Sequence, residues 1–176
     1  KGWGGLLRVA PVAFLHDPDG MTGEDLDILA AQCAAITHGD EFGYEPAAAL
    51  VHLLRLLADE NLDIREAVEK TRDALPALFP KSTRIKNLVR IINKAIRLAD
   101  SDESDLAAIH ELGEGWVAEE TLAIALLCAL RHPDDFEAAV TASVNHNGDS
   151  DSTGSVTGQI MGAALGAHAI PGKYLR

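Results

Sequence analysis

Asn145-His146-Asn147-Gly148-Asp149-Ser150-Asp151-Ser152-Thr153-Gly154 runs on through Ser155-Val156-Thr157-Gly158-Gln159-Ile160-Met161-Gly162-Ala163-Ala164-Leu165-Gly166, and the reading of the chain turns on this stretch. Asp149, Asp151 and the hydroxyls of Ser150, Ser152 and Thr153 make a dense oxygen cluster. Two carboxylates so close in sequence repel unless a cation or a donor lies between them, and hard cations such as Mg²⁺ take oxygen ligands of this kind. The following residues read as a helix opening out of the cluster, with Ser152 or Thr153 as its N-cap. Free N–H groups at such a start also favour anions. On spacing alone two readings stand: a capped, solvated turn and a metal site.

The helix carries Gly154, Gly158, Gly162 and Gly166, four residues apart, so one face lacks side chains. Each glycine costs roughly 1 kcal/mol against alanine in a helix interior. Close approach of a neighbouring helix, or of a ligand, is the expected compensation. A membrane-spanning glycine face is excluded, because Ser155, Thr157, Gln159 and His168 interrupt the segment and it contains no apolar run long enough to span a bilayer. A calcium EF-hand is excluded as well. Asp149, Asp151, Thr153 and Gly154 fit loop positions, but Ile160 stands where a bidentate Glu is required.

Working outward, the 176 residues suffice for one domain with a core of its own. Aromatics are only 5% while Ala and Leu abound, which favours helix over strand. A net charge of −12 argues against duplex nucleic acid as a partner, though not against a phosphate-bearing small molecule bound locally. Cys33 and Cys128 each fall in an apolar helical pattern and read as buried free thiols. With no disulfide framework or zinc spacing, they suit a reducing cytoplasm. No signal peptide or membrane segment is seen, but Lys1-Gly2-Trp3-Gly4-Gly5 reads as the middle of something longer.

Helical signals fill the rest. A short helix or buried segment is expected to end near Pro11, with a turn at Asp17-Pro18-Asp19-Gly20. Thr22 to Asp25 resembles a capping box before a helix over 23–37, buried along Leu26, Leu29, Ala30, Cys33 and Ile36. Pro46 suits the first turn of a helix reaching Ala58. Asp63 caps a helix to Leu75, ended by Pro76. Residues 83–99 put Ile85, Leu88, Val89, Ile92, Ala95, Ile96 and Ala99 on one stripe, with Lys86, Arg90, Lys94 and Arg97 off it as a solvated surface. Further helices are expected over 105–111, from Val117 to Leu130, and from Asp134 or Asp135 to Val144, the last packing through Phe136, Val140 and Val144. The glycine-striped helix closes at Pro171. No alternating strand pattern appears. The chain is all-α, with eight or nine helices and function expected where their ends converge.

The block Asn-x-x-Gly-Asp-Ser-Asp-Ser-Thr-Gly at 145–154, followed by a glycine-every-fourth helix, resembles the C-terminal signature of the ADP-ribosylglycohydrolase family. Trp116 to Ala123, the strip Lys1 to Pro11 and the block Thr37-His38-Gly39-Asp40 match it in the right order. The resemblance implies a compact orthogonal multi-helix bundle and a two-metal centre, usually Mg²⁺ with Mn²⁺ as an alternative. It implies hydrolysis of the bond between ADP-ribose and a protein side chain or small-molecule acceptor. Asp149, Asp151 and Ser152 would be metal ligands, and Asp149 and Asp151 also the catalytic residues. Gly2, Trp3, Gly4, Gly5 and His38 would line the ADP-ribose cleft. Glycines let N–H groups approach a pyrophosphate. His38 would donate to a phosphate oxygen, or serves only the fold.

Three departures matter. Trp3 stands where relatives often carry a smaller or polar residue, so it alters ribose contacts or stacks on a ring. His38-Gly39-Asp40 lacks the usual second His. The family's N-terminal Thr-Asp-Asp metal motif is absent. The chain is therefore expected to be the C-terminal portion of the fold, a single domain over 1–176 lacking the N-terminal part, with an N-terminal fragment of the same protein as a partner. A non-catalytic ADP-ribose-binding module, or a structural, crystallin-like use of the fold, is the alternative.

Overall fold

The computed structural model describes residues 1–15, 20–59 and 62–175. Asp17, Pro18 and Asp19 of the expected turn lie outside the described residues. No strand occurs among the described residues, and nine α-helices do: α1 Gly4–Leu7, α2 Gly23–Ala35, α3 Glu41–Asp59, α4 Ile64–Leu78, α5 Ile85–Ala99, α6 Asp105–Leu112, α7 Ala118–Arg131, α8 Phe136–Val144 and α9 Ser150–Leu165. Three short 3-10 turns complete the fold.

Four helix starts are sealed as local chemistry dictates. Thr22 and Asp25 form a reciprocal capping box on α2, the Thr22 hydroxyl accepting the Asp25 N–H and the Asp25 carboxylate accepting the Thr22 N–H at 2.8 Å. Asp63, Ser104 and Asp135 accept N–H groups at the starts of α4, α6 and α8.

α3 and α7 form the centre. α3 packs on α2, α4, α1, α7 and α9, and α7 on α5, α9, α8, α6 and α4. From Thr121 to Leu130 every residue of α7 is buried, most of them Ala, Leu and Ile. Each fully buried Leu or Ile there contributes about 1.5–3 kcal/mol over an exposed one. Around this pair sit Leu88 and Ile92 of α5 and Val156, Ile160 and Met161 of α9 in one apolar cluster. Cys128 belongs to it, and burial pushes its thiol up to about 12. Cys33 is half-buried, and both thiols are free.

Several expectations need correction. Pro46 lies well inside α3 and is buried, because the helix begins at Glu41. Pro76 lies inside α4, which continues to Leu78. A proline removes one backbone donor, and in both helices the remaining bonds and packing outweigh it. Pro11 sits within a 3-10 turn over Ala10–Phe14 rather than ending a helix. Ile36 is 82% exposed, because α2 stops at Ala35 and the side chain leaves the stripe. On α8 the buried residues are Ala139 and Ser143, while Phe136 is half-buried and its ring centroid lies 5.9 Å from that of Tyr174. α9 ends at Leu165, capped by Gly166 with a φ of +74° that favours glycine, and not at Pro171.

Candidate functional site

The Asp149 loop is held from both sides. Asn145 Nδ2 donates to the Thr141 carbonyl at 2.7 Å. The Gly148 N–H donates to His146 Nδ1 at 3.1 Å, so the ring proton sits on Nε2 and is donated to Thr153 Oγ1 at 3.0 Å. Burial lowers the His146 pKa, which keeps this neutral arrangement. Thr153 in turn donates to the Ser143 carbonyl at 2.6 Å, closing the end of α8 onto the start of α9.

Asp149 occupies the N-cap position of α9 but makes no side-chain cap bond. Ser152 and Thr153 are not caps either, because the helix starts at Ser150. Their hydroxyls lie 3.0 and 3.2 Å from the Asp149 carbonyl. The Asp149 side chain is therefore not spent on the helix start. It is 7% exposed, and its Oδ2 is buried with no hydrogen-bond partner among the described residues. Burial first, then the neighbouring Asp151 carboxyl, raise its pKa, while Trp3 and Ser152 pull against them. Asp151 is exposed and shifts the other way, lowered by Asp149 and by the Ser152 N–H. A costly buried carboxyl with an unused oxygen, beside a second carboxylate, is a donor set that a hard cation satisfies. Ser152 is fully buried, with its hydroxyl 3.0 Å from the Asp149 carbonyl. Among the described residues no group of three or more His, Cys, Asp or Glu is arranged to hold a metal ion.

The glycine strip meets this loop through Trp3. His38 lies over the strip: a Cβ on Gly2 would stand 3.4 Å from His38 Nε2, and one on Gly4 would stand 3.1 Å from Cε1. Arg8 donates to Thr37 Oγ1 at 2.7 Å, which leaves that hydroxyl to donate to His38 Nδ1 at 2.8 Å. His38 Nε2 then carries the ring proton and presents a donor above the two glycines. Burial first, and then Arg8, lower the His38 pKa. Gly5 serves packing instead, since a Cβ there would lie 3.0 Å from that of Ala34. Asp40, in place of a second His, accepts the Phe42 N–H at 3.0 Å and closes the start of α3.

The glycine stripe of α9 is used only in part. A Cβ on Gly154 would meet Val144 Cγ1 at 2.5 Å, whereas Gly158 and Gly162 have nothing described within 4 Å. Two features of the site have no role assigned by the sequence. The Lys1 carbonyl accepts the Ala118 N–H at 3.0 Å, tying the glycine strip to α7. Trp116 is 58% exposed beside the Asp149 loop, its indole N–H held by Glu114 Oε2 at 3.0 Å. The glycines on either side of Glu114 and an exposed Trp are the signal that marks it.

An all-helical domain whose helix ends gather an aspartate pair, a glycine strip and a donor histidine is the class of molecule defined so far. A model of the ADP-ribosylglycohydrolase family matches residues 1–176, and the chain belongs to that family. It is 25% identical over 200 aligned positions to ADP-ribosylhydrolase ARH3 of Homo sapiens, covering 98% of this chain and 52% of that protein. It is 24% identical to ADP-ribosylhydrolase ARH3 of Mus musculus, with 98% and 51% covered, and 26% identical to that of Bos taurus, with 98% and 52% covered. The chain thus spans about half the length of the curated relatives it matches. No helix among the described residues is long and apolar enough to cross a membrane.

Proposed function

We propose that the protein releases ADP-ribose from a modified protein side chain or a small-molecule acceptor in a metal-dependent hydrolysis. The observation that carries this reading is the buried, unpartnered Asp149 Oδ2 next to the Asp151 carboxylate. Asp149, Asp151 and the Ser152 oxygen would hold a Mg²⁺ or Mn²⁺ ion, one of two in the complete protein. Such an ion supplies positive charge at the ribose hydroxyls and polarises the scissile centre. The chain's own groups do the rest of the binding. Backbone N–H groups of the strip at Gly2 and Gly4 would face the pyrophosphate, and His38 Nε2–H would donate to a phosphate oxygen. Trp3, between strip and aspartates, limits the ribose pocket, and Trp116 offers an exposed ring for stacking. A protein of net charge −12 reads as a small-molecule and side-chain enzyme rather than a nucleic-acid binder. Its partners are ADP-ribosylated proteins or ADP-ribose-containing small molecules.

The test is ADP-ribose release by the full-length protein with Mg²⁺, from arginine-, serine- and small-molecule-linked substrates. Release that disappears with chelator and in Asp151→Asn supports the proposal, and no release from any acceptor with metal bound ends it. The alternative reading is a binding module of the same fold without turnover. Tight ADP-ribose binding by the full-length protein with no hydrolysis would mark it.

A further inference from the structure

Glu120, the third residue of α7, does not serve its own helix start. Its Oε2 accepts the Gly115 N–H at 3.1 Å and the Glu114 N–H at 3.3 Å, both in the loop before the helix. Gly113 makes room for this carboxylate. It has φ +130°, and a Cβ there would stand 2.5 Å from Glu120 Cδ. Thr121 holds the next peptide of the loop, its hydroxyl donating to the Gly115 carbonyl at 2.8 Å. The first turn of α7 therefore grips residues 113–115 by donors and acceptors at once, and bonds to a carboxylate are the stronger sort.

The gripped loop touches the aspartates directly. The Glu114 carbonyl accepts the Asp149 N–H at 2.7 Å. A Cβ on Gly115 would stand 3.0 Å from Thr153 Cγ2 and 3.4 Å from the Asp149 carbonyl oxygen. Residues 113–115 form a bracket between the most buried helix and the Asp149 backbone.

We propose that Glu120 is a positioning residue for the Asp149–Asp151 carboxylate pair, acting through the 113–115 bracket and the Glu114 carbonyl. This rests on the reading of that pair as a cation site. Groups that orient metal ligands typically cost about 10–100-fold in metal affinity when removed.

The experiment uses the full-length protein with Glu120→Ala, Glu120→Gln and, as a stability control remote from the site, Asp63→Ala at the α4 cap. Amide hydrogen exchange at Asp149 is read without metal, and Mn²⁺ affinity is read by spin resonance. Glu120→Ala is expected to speed Asp149 exchange and weaken Mn²⁺ binding, each about tenfold or more. Glu120→Gln keeps one acceptor oxygen and is expected to restore both, while Asp63→Ala lowers the melting temperature and moves neither. Unchanged Asp149 exchange in Glu120→Ala overturns the proposal, and so does an equal rise in Asp63→Ala. If wild-type protein binds no Mn²⁺ yet the exchange effect is present, the cation reading falls and the hold of Glu120 on Asp149 stands.

Discussion

Gly148 and Glu114 meet backbone to backbone: a Cβ on Gly148 would stand 1.9 Å from the Glu114 carbonyl oxygen. Carbonyl oxygens do not yield as flexible side chains do. Gly148→Ala is expected to push the two loops apart and to destabilise the protein by roughly 1–3 kcal/mol, the usual cost of overpacking. Urea denaturation reads it, and a midpoint equal to that of wild type would show that the loops are not in contact.

Gly158 gives the opposite case on the same helix. It lies in the interior of α9 with nothing described within 4 Å of a Cβ. Gly158→Ala in this chain is expected to raise stability by about 0.5–1 kcal/mol through helix propensity alone. A loss of stability would reveal a surface lying against that face.

Asp27 of α2 is fully buried and shared by two side chains of α3, His52 Nδ1 at 2.7 Å and Arg55 Nη2 at 3.3 Å. The cluster joins two helices that form one of the broadest contacts in the fold. Asp27→Ala would leave Arg55 without its counter-charge in a poorly solvated place, and a loss of about 3–5 kcal/mol is expected. A thermal midpoint close to wild type would mean that Arg55 swings out to water and that the pair contributes little.

Glu45 sets a pH dependence. It is fully buried on α3, and neither carboxylate oxygen has a hydrogen-bond partner among the described residues. Burial above all, with Glu41 and Asp40 adding repulsion, raises its pKa from 4.5 to about 7, against the lowering by Ser82 and Arg84. The native state then binds this proton more tightly than the unfolded chain. Its contribution is complete below about pH 4.5 and is lost as pH rises through about 7, by up to about 3 kcal/mol. Glu45→Gln is expected to flatten this decline and to be the more stable protein at pH 8. Parallel stability curves for the two proteins between pH 5 and 8 would refute it.

Side-chain periodicity carries what was legible. The α5 stripe and the caps at Thr22, Asp63 and Asp135 stand in the structure where sequence places them, because each is set within one or two turns of chain. Pro46 and Pro76 misled, since their breaker character is local while their tolerance comes from tertiary packing of α3 and α4. The aspartate cluster and the glycine strip were visible as motifs. Their union was not, because it runs through backbone contacts such as Glu114 with Asp149 and Lys1 with Ala118, which leave no side-chain pattern. Gly113, Gly115 and Gly148 are the only trace of them, and a glycine alone does not say what approaches it.

Asp149 is where stability and ligand binding should oppose each other. Its carboxyl is buried, its Oδ2 is unpartnered, and ionising it is unfavourable in the cation-free protein. Asp149→Asn removes that cost and keeps the shape, so without divalent cation the variant is expected to melt at or above the wild-type temperature. Adding Mg²⁺ should reverse the order. Wild-type protein gains about 2.7 kcal/mol at a hundredfold excess of ion over its dissociation constant, while the variant gains little, and chelator returns both to their starting points. Asp151 is exposed and its pKa is lowered, so Asp151→Asn should lose the Mg²⁺ response without the gain in the cation-free state. Full-length protein melted with and without Mg²⁺ separates these outcomes. An Mg²⁺ response of the same size in all three proteins would place the ion elsewhere and remove the basis for the aspartate pair as its site.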